Sequence, residues 1–421
     1  MKTRLALMLT ILMACSVGVS GCGSTDSTPG TGSAAESEPL LAGYTFPSGI
    51  VKGKMKDHVM YTRMEGVLAL PSSPGPHPVA VLVHGSYPGC IDATKDKLLP
   101  GPLNTFEWPE ACETERASQE DGLTTGPDYF RAPASWAYLA QELAKRGFAV
   151  VMPDVHAKEE WWTGEPNPVI LQTELVKAHL QVMADLNDGK GHDLPWAKRA
   201  KGAFDFSQVA LIGHSSGGGY VLTAARKGLV PNLKAVVALE PAYQGVGKPV
   251  MKAQLPVLVA AGECDEQVGW RDPRSAASEF NKANPSAPII FARLSHTTHI
   301  GMVTGGGSHK IGLITPSTSP RCADAELATV EQMQGQTALI TGEFLTDAFA
   351  GKTDFALQSF AATALKVKSL NPGAATVSTT DTTALPGIVD PTTIKFSESS
   401  DPILPPLPEG MKLTVGSGGD V

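Results

Sequence analysis

Residues 209–225 read VALIGHSSGGGYVLTAA, and the chemistry assigned to this stretch decides the fold. An apolar run over 209–212 meets Gly213-His214-Ser215-Ser216-Gly217, and a helix-compatible segment follows over 217–227. Three kinds of glycine-rich turn compete. A dinucleotide loop needs glycines at its first, third and sixth places; counted from Gly213, Ser215 stands third and Gly218 sixth, so the middle glycine is missing. A phosphate-cradling loop needs Lys and then Ser or Thr after its second glycine, whereas Gly219 and Tyr220 follow Gly218. The third is the nucleophile elbow, G-x-S-x-G, in which small residues two before and two after the serine let strand and helix approach closely. Gly213 and Gly217 flank Ser215 in that pattern; centred on Ser216 the flanks would be His214 and Gly218, and His214 is too bulky. Ser215 is therefore the candidate nucleophile, and Ser216 is left to supply a backbone N–H.

A serine hydroxyl attacks only when a base takes its proton and an acid orients the base. In a parallel sheet such groups collect at the carboxyl ends of the strands. In LPVLVAAGECDEQV, Asp265 stands just past an apolar run and is the expected acid. Glu240, which ends the run in VVALEPAY, is the alternative acid or a supporting hydrogen-bond partner. In FARLSHTTHIGM, His299 is the expected base and His296, nearer the run, the alternative. His84, His156 and His214 read as structural imidazoles. The reaction also needs two donors for an oxyanion. One is the N–H of Ser216. The other is expected from VAVLVHGSYPG, at Ser86, with Tyr87 close behind.

Unbroken apolar runs over 79–83, 148–152, 209–212, 235–239, 257–261 and 289–294 fit strands buried on both faces. Helical patterns over 134–146, 167–187, 217–227, 272–282 and 326–349 alternate with them. The expected fold is α/β: a mostly parallel, doubly wound sheet of about eight strands flanked by helices, with right-handed crossovers. Residues 44–51 and 59–70 read as an antiparallel pair bordering that sheet.

The chain opens MKTRLALMLTILMACSVGVSGC, in which Lys2 and Arg4 precede an apolar run too short to span a bilayer comfortably. The layout is that of an export signal over residues 1–21, with Cys22 placed for lipidation. Residues 22–40 lack the bulk to build a core and read as a flexible tether. Residues 41–370 form the expected domain, with an insertion over about 88–130, and residues 371–421 a Pro/Thr/Ser-rich tail. Loss of Lys2 and Arg4 with the signal takes the net charge from −8 to about −10; with no basic run to offset it, nucleic acid is excluded as a partner. The sequence implies no cofactor and no metal, since no CxxC occurs among its six cysteines. Past Cys15 and Cys22, four remain: Cys90, Cys112, Cys264 and Cys322. An even count in an exported protein points to two disulfides, in any of three pairings, of which Cys90–Cys112 closes the insertion.

The order Ser215, Asp265, His299 is the chain order of the α/β-hydrolases. With VAVLVHGS, YLAQELAKRGFAVVMPD, VALIGHSSGGG, PVLVAAGECDEQV and SHTTHIGM, residues 44–351 resemble that superfamily. They are most similar to its lid-poor esterases: dienelactone hydrolase, cutinase-type polyester hydrolases and the platelet-activating-factor acetylhydrolase group. The last group can draw its acid from the strand end where Glu240 sits. In bacterial polyester hydrolases a disulfide ties the acid loop to the histidine loop, which implies Cys264–Cys322 here, although Cys322 lies further from its histidine than in that pattern. The N-terminus resembles a lipoprotein signal. The resemblance implies an exported serine hydrolase of small-molecule or polymeric esters, anchored by lipid to a bacterial membrane, the outer membrane or cell surface. The rival expectations are a peptidase or amidase with the same triad, and a non-catalytic surface-binding lipoprotein on the same scaffold. Tyr87, Trp161 and Trp162 are candidate pocket residues.

Overall fold

The computed structural model describes residues 38–50, 61–86, 91–92, 97–98, 132–155, 168–243, 254–265, 267–269, 271–303, 322, 327–387, 389 and 393–399. Contacts divide the chain into residues 1–37 and 38–421, and every described residue lies in the second unit. The expected signal, Cys22, Tyr87, Cys90, Cys112, His156, Trp161, Trp162 and most of the 88–130 insertion lie outside the described residues.

The strands are β1 (Leu40–Ile50), β2 (Tyr61–Leu70), β3 (His77–Val83), the two-residue β4 (Ile91–Asp92) and β5 (Lys97–Leu98), β6 (Ala149–Pro153), β7 (Phe204–His214), β8 (Leu233–Leu239), β9 (Val257–Gly262), β10 (Ile289–Leu294), β11 (Asp354–Ser359), β12 (Leu365–Ser369), β13 (Thr376–Asp381) and β14 (Phe396–Glu398). The α-helices are α1 (Ala137–Lys145), α2 (Pro168–Asn187), α3 (Ala197–Ala200), α4 (Ser216–Lys227), α5 (Arg271–Ala283) and α6 (Val330–Phe349). Ten strands form one sheet in the order β12-β10-β9-β8-β7-β3-β6-β2-β1-β14. From β6 to β10 across this order the neighbours are parallel; β1, β2 and β6 are joined by antiparallel pairing, and β12 is antiparallel to β10.

The apolar runs become central strands because both of their faces meet helices. Val79, Val81, Val83, Val209, Leu211, Val257 and Val259 pack in one core with Leu175 and Val176 of α2, Leu222 and Ala225 of α4, and Phe280 of α5. Their alternate neighbours Ala80, Leu82, Ala210, Ile212, Leu258 and Ala260 pack in a second core with Leu139 and Leu143 of α1 and Ile340 and Phe344 of α6. Two-residue alternation between two apolar layers is what an unbroken run encodes. Helix α4 stops at Gly228, whose φ of 63° is left-handed and whose N–H reaches back to the carbonyls of Ala224 and Ala225. Helix α6 begins later than its apolar pattern does, at Val330, because Thr329 and Gln332 form a capping box.

The C-terminal boundary moves outward. The stretch from 371 on supplies β13, which pairs in parallel with β11, and β14, which pairs in parallel with β1. Together with β12 on β10, this covers both edges of the sheet and gives ten strands where the apolar runs marked about eight. A bare edge presents unpaired N–H and C=O groups, and such added strands satisfy them. Ile394 and Ser399 are buried, and Gly43 of β1 leaves the space that the Phe396 ring fills. Threonine-rich composition hid this, since Thr suits edge strands as well as tails.

Candidate active site

The residues singled out for chemistry leave the carboxyl ends of five strands that lie side by side, β3, β7, β8, β9 and β10. Ser215 follows β7 with φ 53° and ψ −121°, a left-handed conformation that an L-residue holds only under constraint. The constraint is visible. Its N–H donates to Leu239 O at 3.0 Å, and its carbonyl accepts from Gly219 N–H at 3.0 Å and Ala242 N–H at 2.9 Å. A Cβ on Gly213 would stand 2.2 Å from Gly217 O, and one on Gly217 would stand 2.3 Å from Val83 O and 2.4 Å from His84 O. Both glycines are therefore required by close backbone approach, as the elbow pattern predicts. The Ser215 side chain makes no cap bond to its own helix.

Asp265 and His299 meet. His299 Nδ1 lies 2.9 Å from Asp265 Oδ2, and both side chains are buried. The other Asp265 oxygen accepts three backbone N–H groups, from Gln267 at 2.9 Å, Val268 at 2.8 Å and Gly269 at 3.1 Å. Burial disfavours the Asp265 charge, but the His299 hydrogen bond and charge and the Gly269 and Val268 N–H groups outweigh it, so its carboxyl sits below the ordinary 3.8. Burial likewise disfavours a charged His299. Hydrogen bonds to Asp265 and Glu240, with their charges, overcome that and push the imidazole from 6.5 to about 10.

Glu240 is at the same place. Its Oε2 is 3.1 Å from His299 Nδ1 and 3.6 Å from His214 Nε2, with all three side chains buried. His214 Nε2 also lies 3.2 Å from the His299 carbonyl, and the two rings are 4.6 Å apart. His214 thus ties the base to the elbow, a role beyond the structural imidazole that the sequence suggests. The sequence marks Glu240 as an alternative acid to Asp265 or as its supporting partner, and the structure brings both to one nitrogen. The signal was available in the topology, because β8 and β9 are neighbours and their ends adjoin. His296, with φ 57°, has its Nδ1 buried without a hydrogen-bond partner, while its carbonyl accepts from Ala328. It is not joined to the acids.

The loop after β3 lies against the elbow. The Ser86 hydroxyl donates to Ser216 Oγ at 2.8 Å. His84 is buried; its Nε2 accepts the Val155 N–H at 2.8 Å, and its Nδ1 lies 2.7 Å from Gly85 O. Those partners fix the tautomer with the proton on Nδ1. The Gly85 carbonyl and Ser86 N–H share one planar trans peptide and point opposite ways, so holding the carbonyl turns the N–H away from His84. Cys264, next to Asp265, is bonded to Cys322 across a sequence separation of 58. Cys264 N–H also donates to Thr297 O at 3.0 Å, so the acid loop is held to the histidine loop by this bond and to Cys322 by the disulfide.

Among the described residues, one group of side chains offers converging metal donors: His214, Glu240 and His299, with atoms within 4.8 Å of one another. The Nδ1 lone pair of His299 is taken up by its proton, which faces carboxylates. An imidazole–carboxylate network accounts for these distances, and we read no metal ligand here. Among the described residues, no helix is long and apolar enough to cross a membrane.

The sheet order, the strained serine elbow and the strand-end cluster are those of the α/β-hydrolase fold. Residues 132–297 match the dienelactone hydrolase family, a span that contains Ser215, Glu240 and Asp265 and stops two positions short of His299. The chain is similar to Cutinase est1 of Thermobifida alba, 26% identical over 179 residues, covering 42% of this chain and 52% of that protein. It is also similar to Cutinase 2 of Thermobifida cellulosilytica, 24% identical over 198 residues, covering 47% and 68%. The chain thus spans about half the length of the first of these relatives and two thirds of the second.

Proposed function

We propose that the protein is a serine hydrolase of carboxylic esters that works through an acyl-enzyme. The observation that carries this reading is a serine in a strained elbow whose preceding residue, His214, is held to a buried histidine with its Nδ1 bonded to a carboxylate. The family match and the two cutinase relatives support the ester class. In the reaction, Ser215 Oγ attacks the ester carbonyl as His299 Nε2 takes its proton. This step needs a Ser215–His299 hydrogen bond in the substrate complex. Asp265 holds the Nδ1 tautomer and faces the imidazolium that forms. The N–H groups of Ser86 and Ser216 receive the oxyanion, with Ser86 aimed by His84. His299 then gives its proton to the leaving alkoxide, and water, deprotonated by the same nitrogen, releases the acid from Ser215. No step requires a cofactor.

We also propose that the chain is exported and lipidated at Cys22, on the strength of its N-terminal sequence. Loss of membrane association in Cys22→Ser tests that part. A panel of p-nitrophenyl esters and peptide amides, run beside Ser215→Ala, tests the chemistry. Ester turnover that disappears in the variant is expected. Amide cleavage without ester cleavage would move the reading to a peptidase, and no turnover of either would favour a binding protein on a hydrolase scaffold.

A further inference from the structure

We propose that Glu240 is a second acid on His299, sharing its Nδ1–H with Asp265, so that two carboxylates hold one imidazole together. The inference rests on the hydrolase reading and adds a positioning residue to it. The two oxygens stand 2.9 and 3.1 Å from the same nitrogen, on side chains that leave adjoining strand ends. Three further features show a site shaped around Glu240. The residue is fully buried. Its φ is 43°, in the region that non-glycine residues avoid. The facing position on β9 is Gly262, where a Cβ would stand 2.1 Å from Glu240 Oε1 and so would displace the carboxylate. A buried carboxylate on strained backbone costs stability unless partners compensate it, and His299 and His214 are among its partners here.

Among the described residues, the ionisable groups shown against His299 include Asp265 from the loop after β9, Glu240 from the end of β8 and His214 from β7. With a single acid, replacing that acid by its amide costs about 10⁴-fold in kcat, because the histidine adopts the wrong tautomer. With two acids, the one that remains still requires the proton on Nδ1. Both also face the imidazolium that forms as Ser215 gives up its proton, a charge larger in the transition state than in the resting enzyme.

The test is a cycle of Asp265→Asn, Glu240→Gln and the double variant in the full-length enzyme. It is read as kcat/KM against pH for a p-nitrophenyl ester and as the NMR titration of the His299 imidazole. Asp265→Asn is expected to lose no more than about 10²-fold and the double variant about 10⁴-fold, a non-additive cycle. Glu240→Gln is expected to keep most activity while moving the acid limb and the His299 titration to lower pH. A loss of about 10⁴-fold in Asp265→Asn alone, with the Glu240→Gln profile and titration at wild-type values, would overturn the proposal and leave Glu240 as a partner of His214 only. Should the wild type cleave no ester, the titration still decides whether Glu240 acts on His299, while the hydrolase reading fails separately. Should Glu240→Gln not fold, Glu240→Gly, which suits the positive φ, carries the same measurements.

Discussion

Gly217→Ala puts the link between the elbow and the proposed oxyanion loop under direct strain. The new methyl group would stand 2.3 Å from Val83 O and 2.4 Å from His84 O. Both are backbone atoms, so no side chain can swing aside. Ordinary carbon–oxygen contact requires the end of β3 and the start of α4 to separate by about 1 Å. That is overpacking, with a typical cost of about 1–3 kcal/mol, and at about 2–4 °C per kcal/mol it lowers Tm by several degrees. The catalytic effect is larger in proportion. The displaced segment carries Ser86 and the displaced helix begins at Ser216, so both proposed oxyanion donors move relative to Ser215. A misplacement of about 1 Å costs on the order of 10²-fold in rate. Thermal melts and p-nitrophenyl ester kinetics measure both quantities. Gly191→Ala, where a Cβ meets nothing within 4 Å, is the control and is expected to change neither. A Gly217→Ala enzyme with wild-type Tm and wild-type kcat/KM would refute the reasoning from close approach.

Other outcomes follow from the same geometry. Breaking Cys264–Cys322 with Ser at both positions removes a cross-link spanning 58 residues, worth about 4 kcal/mol in the chain-entropy model; melts of the variant and of reduced wild type should fall together, and an unchanged Tm would contradict this. The raised His299 pKa gives opposite trends in stability and rate. A protonated His299 in its acid pair contributes stability in full below about 6.5, and that contribution is lost as pH rises toward about 10, so Tm should fall over this window. Ester turnover should rise over the same window, because only neutral His299 accepts the Ser215 proton; Tm and rate rising together would contradict the assignment. His84→Ala releases the Gly85 carbonyl and the Val155 N–H. It should lower kcat on the order of 10²-fold, the size of losing one oxyanion donor, with a smaller change in KM.

The superfamily fold was legible in the sequence because its signals are local. Apolar runs such as 79–83 and 257–261 alternate with helical patterns, and Gly213 and Gly217 mark the single turn that needs two absent side chains. Asp265 and His299, picked out by chain order and strand ends, lie 2.9 Å apart. Glu240 was legible as an alternative acid or a supporting partner, but not its distance from His299, because sequence separates residues that neighbouring strand ends bring together. The meaning of Gly262 was invisible for the same reason: what it leaves room for is 22 positions away in the chain and adjacent only across the sheet. The edge strand β12 was hidden by its polarity, and β14 showed only as a short strand-like piece at 393–396 within the tail. A strand covering an edge has one paired side and little apolar burial, so Lys366, Lys368 and Ser397 carry no two-sided run to detect.

The central claim is that Ser215 is the nucleophile. It is tested most directly by labelling the full-length protein with a fluorophosphonate and mapping the adduct by mass spectrometry. The account predicts one adduct, on the peptide carrying Ser215, absent in Ser215→Ala together with ester hydrolysis. An adduct on a different residue, or wild-type turnover in Ser215→Ala, would contradict it.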